Sequence, residues 1–377
     1  MMSYMMERGK HNMVNRACGI ISTNYSRKDF SLLTMNRPIA SIPFGARYRL
    51  VDFPLSNMVN SHINSVGLIT PHLYRSIIDH VGSGKEWGLS IKNGGLFILP
   101  GTTYGFDIGK GKIYLRDIKN NDQFLTKTKE EYVVVSASNK IFNIDYDKAL
   151  DFHIEKGASV TLIYKDMVEE STGDMALDLN GDKVVGISPA KKKMSKLFLD
   201  TFIIDKEIMF KLLSWYADRS YLDIIDIINE NLSHLKVYGY EFKGYVAPIN
   251  NLEDYMNASK DLFKPEVMKE VLFGERSIYT KIHDAPPVKY GDNSKVSSSI
   301  IGAGAKIFGE VKNSIVFRAS VVDKGAKLDN CIIMQGAVVN EGAILSNVIL
   351  EKGAIVGEKA EYHGTAKKPL IITRMQN

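Results

Sequence analysis

The sequence predicts a two-part chain: an α/β domain built on a mostly parallel sheet, followed by a short parallel β-helix. Three observations carry this. Strand-like and helix-like segments alternate over the first two-thirds; a strand–helix–strand unit falls between residues 132 and 165; and Gly-Ala pairs recur beside aliphatic residues with a fixed period near the C-terminus. The division is placed at 1–275 for the α/β domain and 276–377 for the β-helix with its linker.

The elements follow in order. ACGII (17–21) is a strand candidate, and INSVGLI (63–69) ends in a second. YVVVSA (132–137) is a third: the β-branched run Val133 to Val135 gives way to Ser136, Ala137, Ser138 and Asn139. That is how a buried parallel strand looks where it emerges from a sheet, and ligands of open α/β sheets bind at that carboxyl edge. ASVTLIYK (158–165) is a fourth strand. Between the last two, DYDKALDFHIEKG (145–157) places Ala149, Leu150, Phe152 and Ile154 on about one helical face, with Gly157 suited to the helix end. His153 within it reads as a packing residue. Such a βαβ unit requires a right-handed crossover. DIIDIINENLS (223–233) is a further helix, with Ile224, Ile225, Ile227, Ile228 and Leu232 on a broad apolar face and Asp226 and Glu230 in solvent.

After APPVKYGDNSKV (285–296) come GAKI, GAKL, GAVV, GAIL and GAIV. Gly325 to Gly342 is 17 residues, and so is Gly336 to Gly353, each split into 11 and 6. A six-residue subunit repeated about three times per coil is a parallel β-helix signature. Glycine and alanine allow tight corners, while Ile, Val and Leu fill a narrow prism. So few coils need support from the first domain or from another subunit.

Composition bounds the function. The 377 residues are 45% hydrophobic and 24% charged, with a net charge of +5, ordinary for a soluble globular protein. Lys and Arg are spread among acids, so no nucleic-acid stripe is expected. The densest basic run, Lys191-Lys192-Lys193 with Lys196, reads as a solvated loop. Mild basicity suits small anionic ligands such as phosphosugars. Two distant cysteines, Cys18 and Cys331, exclude a disulfide framework, and the eight histidines show no H-E-x-x-H. The N-terminal MMSYMMERGKHN is no signal peptide and no 18-residue apolar run exists, so neither a membrane partner nor export is expected, and a reducing cytoplasm is the predicted compartment.

Two stretches carry a resemblance. LTMNRPIASIPFGARYRLVDFPLSNMVNS (33–61) and NIDYDKALDFHIEKGASVTLIY (143–164) resemble ADP-glucose pyrophosphorylases (glucose-1-phosphate adenylyltransferases), and the hexapeptide region extends the likeness to nearly the whole chain. The fold this implies is a Rossmann-like nucleotidyltransferase domain followed by a C-terminal left-handed parallel β-helix of hexapeptide repeats. The implied reaction joins glucose 1-phosphate to ATP with release of pyrophosphate. Its catalysis is positioning plus neutralisation of phosphate charge by Mg²⁺ and cationic side chains.

The parts that the family uses are replaced one by one. The glycine-rich turn after the first strand reads Ser22, Thr23, Asn24, Tyr25; the phosphate-contacting lysine falls on Ile39; the metal-holding aspartate falls on Asn139; the second metal carboxylate falls on Pro248. The Gly-Thr-Ala stretch is not evident near IYLRDI, nor the Glu-x-Lys-Pro element around VVGISPAKKKM (184–194). An amide oxygen is a weak, uncharged ligand and proline supplies none. No residue is therefore assigned to catalysis or to a metal, and no cofactor is expected. The pattern resembles the divergent, non-catalytic branch of the family. It implies a regulatory subunit in glycogen biosynthesis that modulates a catalytic, GlgC-like ADP-glucose pyrophosphorylase partner in a hetero-tetramer of dihedral symmetry.

Among retained residues, Arg47 and Arg49 are candidates for binding a phosphosugar effector, since Arg forks match phosphate oxygens. The bland alternative is an Arg49–Asp52 ion pair. Ser56 and Asn57 are expected to cap or pin a helix start. The alternative function is an active glucose-1-phosphate adenylyltransferase in which Asp145 or Asp254 reaches the metal. An acyltransferase is disfavoured, because only His283 and His363 flank the solenoid.

Overall fold

The computed structural model describes residues 16–25, 28–70, 73–102, 112–167, 173–190, 195–219 and 221–374. The N-terminal MMSYMMERGKHN and the Lys191–Lys193 run lie outside the described residues.

The first domain is organised by a nine-stranded sheet. Its strands are β1 (Ala17–Ser22), β2 (Ser65–Thr70), β3 (Gly95–Pro100), β4 (Tyr132–Ser136), β5 (Val160–Met167), β6 (Met175–Asn180), β7 (Lys183–Pro189), β8 (Ser195–Asp205) and β9 (Val237–Glu241), in the spatial order β3-β2-β1-β4-β8-β5-β9-β7-β6. The four strands from β3 to β4 are parallel, and Val133, Val134 and Val135 at its centre are fully buried. The expected unit of β4, a helix and β5 is present, but the two strands are not neighbours. The long apolar strand β8 lies between them and runs antiparallel to both. The sheet is accordingly mixed rather than mostly parallel, and β8 gives each of its neighbours a partner of opposite sense.

The helix Tyr146–Glu155 starts at Asp145, whose side chain accepts from the Asp147 N–H, and Gly157 beyond its end takes φ +56°. Its buried stripe is Tyr146, Ala149, Leu150 and His153, and Ile154 is 43% exposed. The apolar face thus lies slightly off the expected one, turned toward Tyr146, while His153 packs as expected. His153 is satisfied in the interior: Nδ1 lies 2.8 Å from Thr161 Oγ1, Nε2 lies 3.0 Å from Asp205 Oδ1, and the ring stands edge-on to Tyr132. The helix Ile224–Glu230 buries all four isoleucines and exposes Asp226, as its pattern predicts. No helix among the described residues is long and apolar enough to cross a membrane.

The C-terminal region is a parallel β-helix of three five-stranded sheets. Registers such as Val321↔Val338 and Val338↔Ile355 give the 17-residue coil, while Lys306↔Val321 gives one shorter coil. The Gly-Ala pairs divide the work at the corners. Gly304, Gly325, Gly336, Gly342 and Gly353 take positive φ, and the alanines that follow them, from Ala305 to Ala354, are fully buried. One of the three sheets supplies Ile315, Phe317, Ile332, Met334 and Ile349 to a core shared with Phe44, Tyr48, Tyr255 and Leu272. The first domain is therefore the support that this short solenoid requires.

The corner geometry sets a pair of contrasting substitutions. A Cβ on Gly309 would lie 2.4 Å from the Ala326 carbonyl oxygen and 2.7 Å from that of Asp323, whereas one on Gly357 meets nothing within 4 Å. Gly309→Ala is expected to destabilise the protein by about 2 kcal/mol and Gly357→Ala to stay within about 0.5 kcal/mol of the parent, read from urea unfolding.

Candidate functional site

The carboxyl ends of β1 and β4 meet where a phosphate-handling site belongs in this architecture. After β1 the chain is tied down by hydroxyls. Ser22 Oγ donates to the Lys112 carbonyl (2.9 Å), Thr23 Oγ1 to the Ile69 carbonyl (2.9 Å), and Ser138 Oγ from the β4 side to the Ser22 carbonyl (2.7 Å). Ser22, Thr23, Asn24 and Tyr25 are all buried. They fill with side chains the space that a glycine turn leaves open to an incoming phosphate.

Beyond β4, Lys140 enters a small group of buried charges that sequence reasoning did not find. Its Nζ reaches Asp174 Oδ1 at 2.7 Å and also pairs with Asp200 Oδ2. Lys112 Nζ approaches the same two carboxylates, at 3.4 and 2.6 Å. The Lys140 and Asp174 side chains are fully buried and Asp200 is nearly so. Burial alone lowers the affinity of Lys140 for its proton, but the two carboxylates reverse the effect, so it titrates well above an ordinary lysine. Asp200 adopts φ +49°, a left-handed conformation that costs a non-glycine residue about 1–2 kcal/mol. The carboxylate it presents to the two amines is what that strain secures. An amide relay extends the cluster: Asn139 Nδ2 donates to Asn250 Oδ1 (3.1 Å), and Asn250 Nδ2 donates to Asp174 Oδ2 (2.7 Å).

Asp223 anchors the cluster from below. It accepts from the backbone N–H groups of Lys112 (2.5 Å), Ile113 (2.8 Å) and Ile225 (2.9 Å), fixing the segment that carries Lys112. Burial pushes its pKa up to about 6 against the pull of those three donors. Tyr25 is raised too, by burial first and then by Asp200, Asp223 and Asp174. Among the described residues, Asn24 Nδ2, the Tyr25 hydroxyl and Asn139 Oδ1 are buried without hydrogen-bond partners.

The sequence-predicted positions fall as follows. Ile39 is buried in a single 3₁₀ turn, Ile39–Ser41, within the core shared with the solenoid. Pro248 pairs with Lys140 in a two-strand ribbon, setting Asn139 and Asn250 side by side. Asp145 is engaged at its helix N-terminus, where Arg276 Nη1 lies 3.3 Å away. Asp254 comes closer, accepting from the Asn250 N–H at 3.0 Å. Magnesium, implied by the family resemblance, does not fit these residues. Lysine ammonium groups already neutralise Asp174 and Asp200, and no group of three or more acids, histidines or cysteines among the described residues could hold a metal ion.

Ser56 and Asn57 do not start a helix. They lie buried in the middle of Asp52–Asn60, where Ser56 Oγ accepts from the Tyr279 N–H (2.9 Å) and Trp87 Nε1 (3.3 Å) and Asn57 Nδ2 donates to the Phe142 carbonyl (3.0 Å). The Arg49–Asp52 ion pair does not form either. Asp52 accepts from the Arg49 backbone N–H and pairs with His80, and the Arg49 guanidinium donates to the Ser76 carbonyl at 2.6 Å.

Arg49 instead belongs to a second electrostatic centre, at the junction with the solenoid, and Arg47 lies two residues before Arg49. The turn Gly45-Ala46, both at positive φ, brings the Ala46 carbonyl against Gly302 of the first coil. Arg47 is exposed and Arg49 half-buried. Burial lowers Arg49 most; Asp52 raises it, and Arg37 and Arg318 lower it further. Lys352 is lowered by burial and then by Arg49, Arg37, Arg318 and Arg374. Cations from both parts of the chain therefore converge here.

Comparison with known proteins agrees with this architecture. The nucleotidyl transferase family matches residues 30–264, and the GlmU-like C-terminal hexapeptide family matches residues 286–364. The chain is 34% identical over 360 residues, 96% of each protein, to the glycogen biosynthesis protein GlgD of Bacillus subtilis. It is 32% identical to GlgD of Geobacillus stearothermophilus over 83% of each. To the glucose-1-phosphate adenylyltransferase of Clostridium kluyveri it is 30% identical over 79% of this chain and 80% of that protein.

Two outcomes follow from the buried charges. Lys140→Met leaves Asp174 and Asp200 with Lys112 alone, and is expected to cost about 3 kcal/mol in denaturant unfolding. Asp223 has a raised folded pKa, so its contribution is fully present below its unfolded value of 3.8 and is lost as pH rises through about 6. The stability of the parent relative to Asp223→Asn should therefore fall by about 3 kcal/mol between pH 4 and pH 7 and then level off, measured by unfolding across that range.

Proposed function

The chain belongs to the nucleotidyl transferase family, with a left-handed parallel β-helix at its C-terminus, and from that premise we propose that it is a catalytically deficient, regulatory subunit in glycogen biosynthesis. It modulates a catalytic, GlgC-like ADP-glucose pyrophosphorylase subunit within a cytoplasmic hetero-oligomer. The observation that carries this is the Lys140–Asp174–Asp200–Lys112 cluster. Nucleotide transfer needs acids free to hold a metal and cations free to meet phosphate. Here each sign is engaged by the other.

The convergence of Arg37, Arg49, Arg318 and Lys352 supports the regulatory half of the reading. Guanidinium and ammonium groups drawn from two domains suit a phosphate-bearing small molecule, and a ligand bound there would couple the domains. Arg49 is a contact in this reading, with the exposed Arg47 at the rim. Regulation by such a ligand obeys reciprocity: an effector that favours the active assembly binds that assembly better.

The test supplies glucose 1-phosphate, ATP and Mg²⁺ to the purified chain, to a catalytic glucose-1-phosphate adenylyltransferase subunit, and to their mixture, with pyrophosphate release as the readout. The chain alone is expected to give less than about 1% of the mixture's rate, in line with the loss of several acting groups. In the mixture it should alter the partner's rate or effector response, and Arg49→Gln should blunt the effector response. Robust ADP-glucose synthesis by the chain alone would establish the competing reading, an active adenylyltransferase; unchanged partner kinetics would remove the regulatory role.

A further inference from the structure

Three residues occupy the same ladder position on successive coils of the solenoid: Phe317, Met334 and Glu351 at 17-residue spacing. Each backbone N–H donates to the strand of the next coil, to Ile333, Leu350 and Ile372 respectively. Phe317 and Met334 are buried in the core shared with the first domain. At the third step that apolar column is broken by an acid. Its carboxylate meets the guanidinium of Arg37, which arrives from the other domain, and the two side chains are only 19% and 15% exposed.

The neighbouring column is Arg318, Gln335 and Lys352, again at 17-residue spacing. Coils stack about 4.8 Å apart, so Arg318 and Lys352 stand about 10 Å from each other on one side, with a neutral amide between them. Among the described residues neither forms an ion pair, and Glu351 is the one carboxylate within ion-pair distance of Arg37. On the far side Arg374 lies across Gly353 and donates to its carbonyl at 3.1 Å. Arg37, Arg318, Lys352 and Arg374 thus outnumber Glu351 at this junction. An acid in that place spends its charge on the position that an anionic ligand would seek.

We propose that Glu351 is a built-in counter-ion: it holds Arg37 while the junction is empty, and a phosphate-bearing small molecule binds there by displacing the Glu351 carboxylate. This rests on reading the junction as an anion site. It adds that occupancy of the site is coupled to breaking the Arg37–Glu351 contact between domains, so the ligand exchanges a contact within the chain for one to itself.

The experiment is calorimetric titration of the full chain with inorganic phosphate and pyrophosphate at fixed ionic strength. Parent, Glu351→Gln, Glu351→Asp and Arg49→Gln are compared, with a thermal melt to confirm that each is folded. Glu351→Gln is expected to bind about tenfold more tightly than the parent, as the loss of one competing charge predicts. Glu351→Asp, whose shorter arm weakens the grip on Arg37, should fall between the two, and it carries the test if the Gln variant does not fold. Affinity in both Glu351 variants equal to or below that of the parent overturns the counter-ion role. If the parent then still binds and Arg49→Gln weakens it, the anion site itself stands. Absence of binding to every variant overturns both.

Discussion

The first domain is arranged around one constraint: a buried amine, a partly buried one and two buried carboxylates at the carboxyl edge of its sheet must neutralise one another. Lys140, with a fully buried side chain, tolerates that position only because Asp174 and Asp200 converge on it, and Asp174 in turn needs Lys140. Several otherwise unrelated features serve this arrangement. Asp200 accepts a left-handed backbone, Asp223 pins the Lys112 segment through three backbone N–H groups, and Pro248 pairs with Lys140 so that Asn250 can reach Asp174. Each is unfavourable or unremarkable alone. Together they orient four charges whose separation would leave them stranded in a medium of low polarity.

The same constraint describes how this nucleotidyl transferase fold satisfies the charges at its sheet edge. In such a site, opposite charge ordinarily arrives with the ligand. Here the chain supplies both signs itself, so the sheet edge needs no ligand to satisfy its acids. Asn139 fits that scheme. An aspartate there would add a third acid to a group already balanced by two lysines, whereas an amide joins the relay through Asn250 without changing the net charge.

The solenoid was legible in the sequence to its period, because a glycine at each corner and an alanine inside it are dictated by backbone geometry and a narrow prism. The strand ends at Ser22 and Ser136 were legible for a related reason, since a buried strand must turn polar where it emerges. The charge cluster was not. Lys140 meets Asp174 and Asp200 across 34 and 60 positions of sequence, and what unites them is the insertion of β8 between β4 and β5. No local pattern announces that insertion; an eleven-residue apolar strand looks the same whichever neighbours it takes. The Arg49–Asp52 ion pair failed differently. Proximity in sequence suggested it, but Asp52 is taken by a backbone N–H and a buried histidine. Ile154 shows the remaining weakness: a helix face centred on Phe152 and Ile154 shifts when Tyr146 and His153 complete the buried stripe.

The contrast between the two electrostatic centres bears on where a ligand can act. At the sheet edge, acids and amines meet in equal number among the four paired groups, and the approach is lined by buried side chains. A further ion there must break an existing pair before it forms its own. At the domain junction the cations outnumber the one acid that Arg37 engages, Arg318 and Lys352 form no ion pair among the described residues, and Arg47 stands in solvent. Burial lowers both Arg49 and Lys352 most, and neighbouring cations lower each further, although Asp52 and Asp79 offset part of this at Arg49. Because those cations come from both domains, their mutual lowering depends on the present orientation of the solenoid and the sheet domain. The sheet edge thus balances its own charges within one domain, whereas the junction gathers like charges from two.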